Sequence, residues 1–524
     1  MNSESHAFGP GALAFIALYL LSLLGIGWLG YRARRQESLS DFFLAGRRVG
    51  FFVLLLTLYA TQYSGNTLFG FTGTTFKRGY FWTTSLHFMT AIVIFYLLFA
   101  PRLYGLSKRR GYITPSDYLF DRFRSPWIVL VGTLVMIIAV SNYLVGQLKA
   151  IGHAFEGLTT LEPEVAYVCG VVVLAIVILI YESLGGFRAV AWTDAVQGLI
   201  LIVGFAALLF MVWRQFGTLT DATALLTTRE DQISKVRPPS SQHCREWLSY
   251  ILIVGIGGAL YPQAIQRIYA ARSAATLRRS LSVMAFLPLT TTLVALIVGI
   301  IAAAHLTDLS GAQADRVLAV MCRRVQEGSL FGYWLVVILV AAILAAIMST
   351  ADSVLLSISS MLTKDIYVRF FNPEGDEQRA TRLAKRLSWL VLAVAAGVAI
   401  LLRERTDLVR LLDRKFDLLV QLAPAFMIGI RWAKMRAGPV LLGMLAGITL
   451  SLLIAYAWNK PRLCGFHPGL YGLALNVLIA VGGSMRPLRG PARSSHEFHR
   501  PAGGFAPSAD LVRPPSAGAS GSST

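Results

Sequence analysis

Ser349, Thr350, Asp352, Ser353, Ser357, Ser359 and Ser360 crowd the middle of an otherwise apolar stretch, Val340 to Tyr367, reading VAAILAAIMSTADSVLLSISSMLTKDIY. The stretch is long enough to cross a bilayer, which takes about 20 apolar residues. Hydroxyl and carboxyl groups at that depth are costly unless paired, packed against another helix or facing a wet cavity. Ser349 and Thr350 are adjacent, so their oxygens are placed to meet in one small volume. Hydroxyl oxygens with a few backbone carbonyls are hard ligands, suited to a small hard cation and not to a soft metal. The competing use is structural: Ser and Thr bond back to the i−4 carbonyl or hold helices together.

Two other segments are irregular where a simple membrane anchor would be smooth. Tyr59-Ala-Thr-Gln-Tyr-Ser-Gly-Asn-Thr67 packs Thr61, Gln62, Ser64, Asn66 and Thr67 around Gly65, with Gly70 and Gly73 following. A second segment carries Gly255, Gly257 and Gly258, then Tyr261-Pro262-Gln263. Pro262 removes a backbone donor and kinks a helix. Unwound backbone at membrane depth is tolerated only beside a cavity, and two such interruptions at corresponding places point to a binding site between inverted repeats. Packing of two glycine-rich helices is the plainer alternative.

The whole chain supports a membrane setting. It has 524 residues, 55% hydrophobic and 15% charged, with mean hydropathy +0.60, which belongs to a polytopic membrane protein and not to a soluble globule. A net charge of +20 would suit nucleic acid if it formed a patch. Instead the charges fall in short loops between apolar spans, so no nucleic-acid partner is expected. Cys169, Cys244, Cys322 and Cys464 are far apart and suggest neither a disulfide framework nor a zinc site.

The apolar runs are expected as thirteen spans, near 10–31, 50–75, 81–105, 126–156, 164–183, 189–213, 246–268, 281–304, 333–362, 387–403, 411–431, 438–458 and 469–484. The first lacks a basic n-region and ends in Arg32, Arg34 and Arg35, which argues for a membrane helix over a cleaved leader. Lys and Arg are concentrated in the loops at 102–124 and 364–386, so the N-terminus is placed outside and the C-terminus in the cytoplasm. Residues 1–484 are thus expected as one membrane domain. Residues 485–524, rich in Pro, Gly, Ala and Ser, are expected as a disordered cytoplasmic tail. The expected location is the inner, cytoplasmic membrane.

Four segments, in order along these spans, resemble the sodium:solute symporter family. Asp41-Phe-Phe-Leu-Ala-Gly-Arg47 is similar to its loop before the first core helix, and Tyr181-Glu-Ser-Leu-Gly-Gly-Phe-Arg-Ala-Val-Ala-Trp-Thr-Asp-Ala-Val-Gln197 to its most recognisable signature. Ile265-Gln-Arg267 with Ala270-Ala271 resembles the end of its second broken helix; Ala345-Ala-Ile-Met-Ser-Thr350 through Asp365-Ile-Tyr367 resembles its ion-site helix. The resemblance covers about residues 10 to 484. It implies an all-α fold of the leucine-transporter type, with two five-helix inverted repeats here at about 50–213 and 246–431. It also implies a sodium ion held by the carbonyls of Ala60, Tyr63 and Ala346 and the hydroxyls of Ser349 and Thr350.

Some positions depart from relatives. Gln62 stands where proline-type members place an acidic residue, and Gly257 where sugar members use an aromatic gate, which weakens a sugar substrate. Asp352, one turn after Ser349, is a candidate charge for coupling. Asp194 is a candidate gate residue, pairing with Arg188 or Arg267. Lys149, after Tyr143 and Gln147, is either a partner for a substrate carboxylate or a lysine snorkelling to the headgroups at the outer end of its span. Gln62, Ser64, Asn66, Thr67, Gln147, Tyr261 and Gln263 are the expected substrate contacts, and half-helix N-termini there favour an anionic group.

The expected function is therefore sodium-coupled symport of a small polar organic solute by alternating access, with a carboxylate-bearing solute favoured. No catalytic constellation is visible, and the expected partners are Na+, the solute and the lipid bilayer, with no obligate protein partner. The alternatives are a solute sensor that keeps the transporter fold, a passive channel, and a proton-coupled symporter using Asp352.

Overall fold

The computed structural model describes residues 9–34, 38–64, 66–158, 161–306, 309, 314, 317–327, 330–373, 376–403, 408–458 and 462–485. The 485–524 tail therefore falls, apart from Met485, outside the described residues. The described chain is helical throughout, with isolated bridges only. The principal helices are α1 (Pro10–Arg32), α2 (Phe51–Gln62), α3 (Phe71–Arg78), α4 (Thr84–Leu97), α5 (Pro126–Leu158), α6 (Pro163–Gly185) and α7 (Phe187–Phe216). They continue with α8 (Ser241–Ala259), α9 (Pro262–Ala270), α10 (Pro288–His305), α11 (Leu330–Ser360), α12 (Glu377–Leu401), α13 (Leu408–Leu419), α14 (Ala437–Leu452) and α15 (Pro468–Met485). Proline opens α1, α5, α6, α9, α10 and α15. At the first helical position its missing N–H is no loss, and its fixed φ suits the helix.

Among the described residues, ten helices are long and apolar enough to cross a membrane, or eleven if α8 and α9 count as one span bent by 49°. The expected count of thirteen is not reached on that measure, for two local reasons. The span at 50–75 stops being a helix after the twelve residues of α2. The span at 411–431 carries Arg414, Lys415 and Asp417, then tightens into a 3-10 turn, Val420–Leu422, and a π-helical turn at Pro424–Ile428.

The core is built around α11. Residues 339–361 are buried without interruption, so this stretch is enclosed on every face and its polar groups need partners inside the protein. It packs against α2, α5, α7 and α9. Close approach to α7 depends on Gly204, where a Cβ would stand 2.8 Å from the Ala342 Cβ. α8 packs on α4 and α13, α1 flanks α6 and α7, and α14 and α15 pack chiefly on each other. The strand-like segment before α2 is fastened to the end of α9: the Val49 amide donates to Ala270 O (3.1 Å) and the Arg272 amide to Val49 O (2.9 Å).

Candidate functional site

α2 ends where its carbonyls are needed. The Tyr63 amide closes the last helical bond on Tyr59 O at 3.0 Å, and Tyr63 itself turns to φ −100°, ψ 94°. The next amide, Ser64, goes to the Thr67 hydroxyl at 3.3 Å instead of back to Ala60 O. A helix C-terminus leaves its last carbonyls without intrahelical partners, and here one of them meets α11. The Thr350 hydroxyl donates to Ala346 O at 3.0 Å and lies 3.5 Å from Ala60 O. Three of the expected oxygen ligands are thus gathered in one buried volume.

Ser349 departs from the expectation that its oxygen shares that volume. Adjacent helical residues point about 100° apart, and the Ser349 hydroxyl turns to α7, donating to Asp194 Oδ1 at 2.5 Å. Asp194 is fully buried and is the centre of a second cluster. Arg267 on α9 binds its Oδ2 at 2.8 Å, and the Thr57 hydroxyl of α2 donates to the same oxygen. Arg267 also donates to Thr57 Oγ1 (3.0 Å), Ser353 Oγ (2.6 Å) and Gln263 O (3.0 Å). α2, α7, α9 and α11 are joined in one polar knot. Of the two arginines considered for Asp194, Arg267 is the partner; Arg188 pairs instead with Asp41 at 2.7 Å. Asp352 lies beside the knot, accepting from Tyr181 Oη at 2.5 Å and from Ser353 Oγ at 3.3 Å.

Gln62, Ser64, Thr67 and Tyr261 line a cavity at the two breaks, together with Tyr143 of α5 and Phe416 of α13. Tyr143 and Tyr261 stack with ring centres 5.6 Å apart and planes 5° from parallel. The Tyr143 hydroxyl lies near those of Ser64 and Thr350, so the cavity and the expected ion ligands adjoin one side chain. Gln263 is fully buried, and its amide makes no hydrogen bond to any described residue. Gln147 is buried on α5, one turn beyond Tyr143, without lining this cavity. The Asn66 side chain lies outside the described residues. Gly257 has no aromatic gate of its own because Phe416 fills the space, 2.7 Å from where its Cβ would be.

Lys149 is a correction. It does not snorkel: it is 1% exposed and donates to Leu402 O at 2.7 Å. The carbonyls of a helix C-terminus attract a cation, and Leu402 caps α12. Sequence reasoning gave Ser353 no role beyond the polar run of α11, and missed Thr57, Phe416 and Lys415. A visible signal existed for the last, a lysine within an expected membrane span.

At one end of the molecule, side chains tie the segments that flank the site. Asp117 binds Lys364 at 2.5 Å and Arg369 at 3.3 Å beyond α11. Burial would raise the Asp117 carboxyl, but Lys364 and the Ile113 and Thr114 amides hold it below the ordinary carboxylate range. Lys108 donates to Arg47 O and Tyr269 O, both at 3.3 Å.

Comparison with known proteins agrees with this architecture. The model of the sodium:solute symporter family matches residues 42–447. The osmoregulated proline transporter OpuE of Bacillus subtilis (strain 168) is 27% identical over 494 residues, covering 92% of this chain and 96% of that protein. A sodium/proline symporter of Staphylococcus aureus (strain JH9) is 27% identical over 490 residues, covering 88% and 90%. The solved structure of a Na+-coupled sialic acid symporter in a substrate-bound outward-open state superimposes with TM-score 0.76 at 18% identity, covering 91% of this chain and 98% of its own. Mhp1, a nucleobase-cation-symport-1 family transporter, has TM-score 0.50 at 14% identity, over 85% and 93%. The fold is of the leucine-transporter type, and the chain belongs to the sodium:solute symporter family of membrane transporters.

Proposed function

We propose that this protein couples inward sodium flow to uptake of a small polar organic solute by alternating access. The observation that carries the reading is the meeting of Ala60 O, Ala346 O and the Thr350 hydroxyl at the break after α2. Neutral oxygens of this kind replace the hydration shell of a small hard cation and release it again. Tyr63 O and Ser349 Oγ complete the proposed set, the serine keeping lone pairs for an ion while its proton goes to Asp194. Sodium then bridges α2 and α11, which belong to opposite repeats (about 50–213 and 246–431), and biases the equilibrium by differential affinity. Gln62, Ser64, Asn66, Thr67, Tyr261 and Gln263 are the proposed solute contacts, with Gln147 behind Tyr143. Asp194 with Arg267, and Asp352, are the proposed gating and coupling groups. The basic loops support a cytoplasmic-membrane location with the N-terminus outside, which puts the Asp117 and Lys108 ties on the cytoplasmic side.

The test needs no knowledge of the solute. Sodium that binds only the folded protein raises its melting temperature in a concentration-dependent way. Thr350→Ala removes one hydroxyl ligand to a charge, worth about 1.5–3 kcal/mol, so the sodium concentration for half-maximal stabilisation should rise roughly ten- to a hundred-fold. Thr350→Ser should restore much of it. Unchanged sodium dependence in Thr350→Ala would rule out this ion site, and stabilisation by protons in place of sodium would favour a proton-coupled carrier.

A further inference from the structure

Lys364 and Arg369, past the end of α11, both reach across to Asp117, at 2.5 Å and 3.3 Å. Asp117 belongs to the short helix Pro115–Phe123, and the Arg369 guanidinium lies over Phe120 of the same helix, 4.3 Å from its ring centre. A second carboxyl, Asp365, stands between the two cations in sequence and is fully buried. Its Oδ1 accepts from the Thr114 hydroxyl at 2.6 Å, while its Oδ2 meets no hydrogen-bond donor among the described residues. The Nε of Arg369, four residues on, has no acceptor there either. A buried acceptor and a buried donor of opposite charge are thus left unpaired on one element, at a spacing where such pairs form. The segment that Asp117 anchors also holds the inner halves of both broken helices. Arg47, which leads into α2, donates to Ser107 O (3.0 Å) and Tyr112 O (2.7 Å). Lys108 reaches Arg47 O and, near the end of α9, Tyr269 O.

We propose that Asp365 is the release of a pH-sensitive latch at the cytoplasmic end. Neutral, it leaves Lys364 and Arg369 to Asp117; ionised, it draws them onto its own element and frees the segment 107–117. This rests on the alternating-access reading and adds to it what lets the inner side open. Asp365 lies in the 364–386 segment that the charge pattern places in the cytoplasm, beyond α11. Burial, and after it the Asp117 charge, raise its carboxyl above the ordinary carboxylate range. The charged groups facing it are Asp117 from the short helix and Lys364 and Arg369 from its own element. Tyr269 and Arg47 stand near Asp117 in turn. Once Asp365 is ionised, two carboxylates share two cations. Charge is then balanced, but a pair between elements has been exchanged for one within an element. The tie is weakened and the fold is not.

Ser357 is placed to report the release. It is fully buried on α11, between Ser353, which accepts from Arg267, and Ser360, which accepts from Gln266. Three and four residues away on a helix is the same face, so its face meets α9. The parent for the experiment is the full chain with Ser357→Cys, Cys169→Ser and Cys464→Ser, purified in detergent without sodium. Exposed Cys244 is kept as the reference thiol. Labelling of the reporter thiol by a polar maleimide, relative to Cys244, should rise at least about fivefold from about pH 6 to about pH 8. Asp365→Asn keeps an acceptor for Thr114 but cannot ionise, and should hold the ratio at its low-pH level. Asp117→Asn should raise the ratio already at low pH, which decides the matter if Asp365→Asn fails to fold. A carboxyl that only unsettled the fold on ionising would lower the unfolding temperature with pH and leave the reporter protected. The same pH profile with and without Asp365→Asn overturns the proposal. So does a reporter protected at both pH values, or one indifferent to Asp117→Asn. Sodium stabilisation of the same parent at low pH separates the two failures: if it persists, only the latch falls, and if it is absent, the symport reading falls as well.

Discussion

At the first break, α2 ends on Gln62 and Tyr63, the Ser64 amide turns aside to Thr67, and Ala60 O is left facing Thr350. At the second, α8 passes through Leu260 and Tyr261 and restarts at Pro262 with a 49° bend. Both interruptions sit beside one cavity, but they offer opposite things. The first offers neutral acceptors, which the proposed function assigns to a cation that comes and goes. The second carries its own cation, Arg267, and locks it to Asp194 at 2.8 Å. A site made of neutral carbonyls and hydroxyls binds an ion reversibly, whereas a buried carboxylate already holds a permanent guanidinium. On the proposed reading the exchangeable charge and the built-in charge thus sit at different breaks, with the Thr350 hydroxyl beside Ala60 O at the first and the Ser349 proton going to Asp194 at the second.

The largest effect is expected from unbalancing the built-in pair. Arg267→Gln leaves the Asp194 carboxylate buried without its ion partner, which costs about 3–5 kcal/mol in comparable buried pairs. The double variant Asp194→Asn with Arg267→Gln removes both charges and should recover most of that loss. Thermal unfolding of the detergent-purified protein measures both, and a single variant as stable as wild type would remove Arg267 from the role assigned to it.

A smaller effect separates the two breaks directly. Thr67→Val takes away the acceptor of the buried Ser64 amide, about 1–3 kcal/mol for an orphaned donor. It should also weaken sodium stabilisation, because the Ala60 carbonyl is set by how the chain leaves α2. Pro262→Ala restores only a donor at the first position of α9, where helices tolerate its absence, so sodium dependence should stay put. Equal shifts in both variants would mean that the second break also shapes the ion site.

Much of this was legible in the residues because the chemistry is local. The polar run of α11, the glycines and Pro262 mark depth and interruption without any knowledge of neighbours and led to Thr350, whereas Ala60 and Ala346 came only from the resemblance to the family. The pairing of Asp194 was legible only as a choice between Arg188 and Arg267, since the residue that meets a carboxylate depends on how α7 and α9 cross. The bond from the Ser349 hydroxyl to Asp194 was not legible, for a rotational reason: sequence adjacency suggests shared direction, whereas a helix turns by about 100° per residue. Lys149 was misplaced because snorkelling assumes lipid beside it, and the neighbour is instead the end of α12. Lys415 was overlooked because the rings of Tyr143 and Tyr261 beside it come from distant elements that no spacing rule brings together.

The smallest effect concerns Lys108, which ties the two broken helices at their shared end. It donates to the carbonyl of Arg47, which leads into α2, and to that of Tyr269, near the end of α9. Burial, with some help from the Arg47 charge, pushes the Lys108 ammonium down to about 8. The folded protein therefore holds this proton less firmly than the unfolded chain, whose lysine titrates near 10.4. Below pH 8 both states are charged and the folded state bears the full cost of the buried charge. As pH rises from about 8 toward the unfolded value, the unfolded chain keeps more protons, so stability rises with pH. The neutral amine still donates to one or both carbonyls, so the tie survives its loss of charge. Because Lys108 is only half-buried, solvent screens the effect. Unfolding temperatures of wild type and Lys108→Gln, compared between pH 7 and 10, isolate it from other titrating groups. Wild type should gain on the variant as pH rises, and a difference that stays flat or falls would show that Lys108 does not bear a buried charge between the two helices.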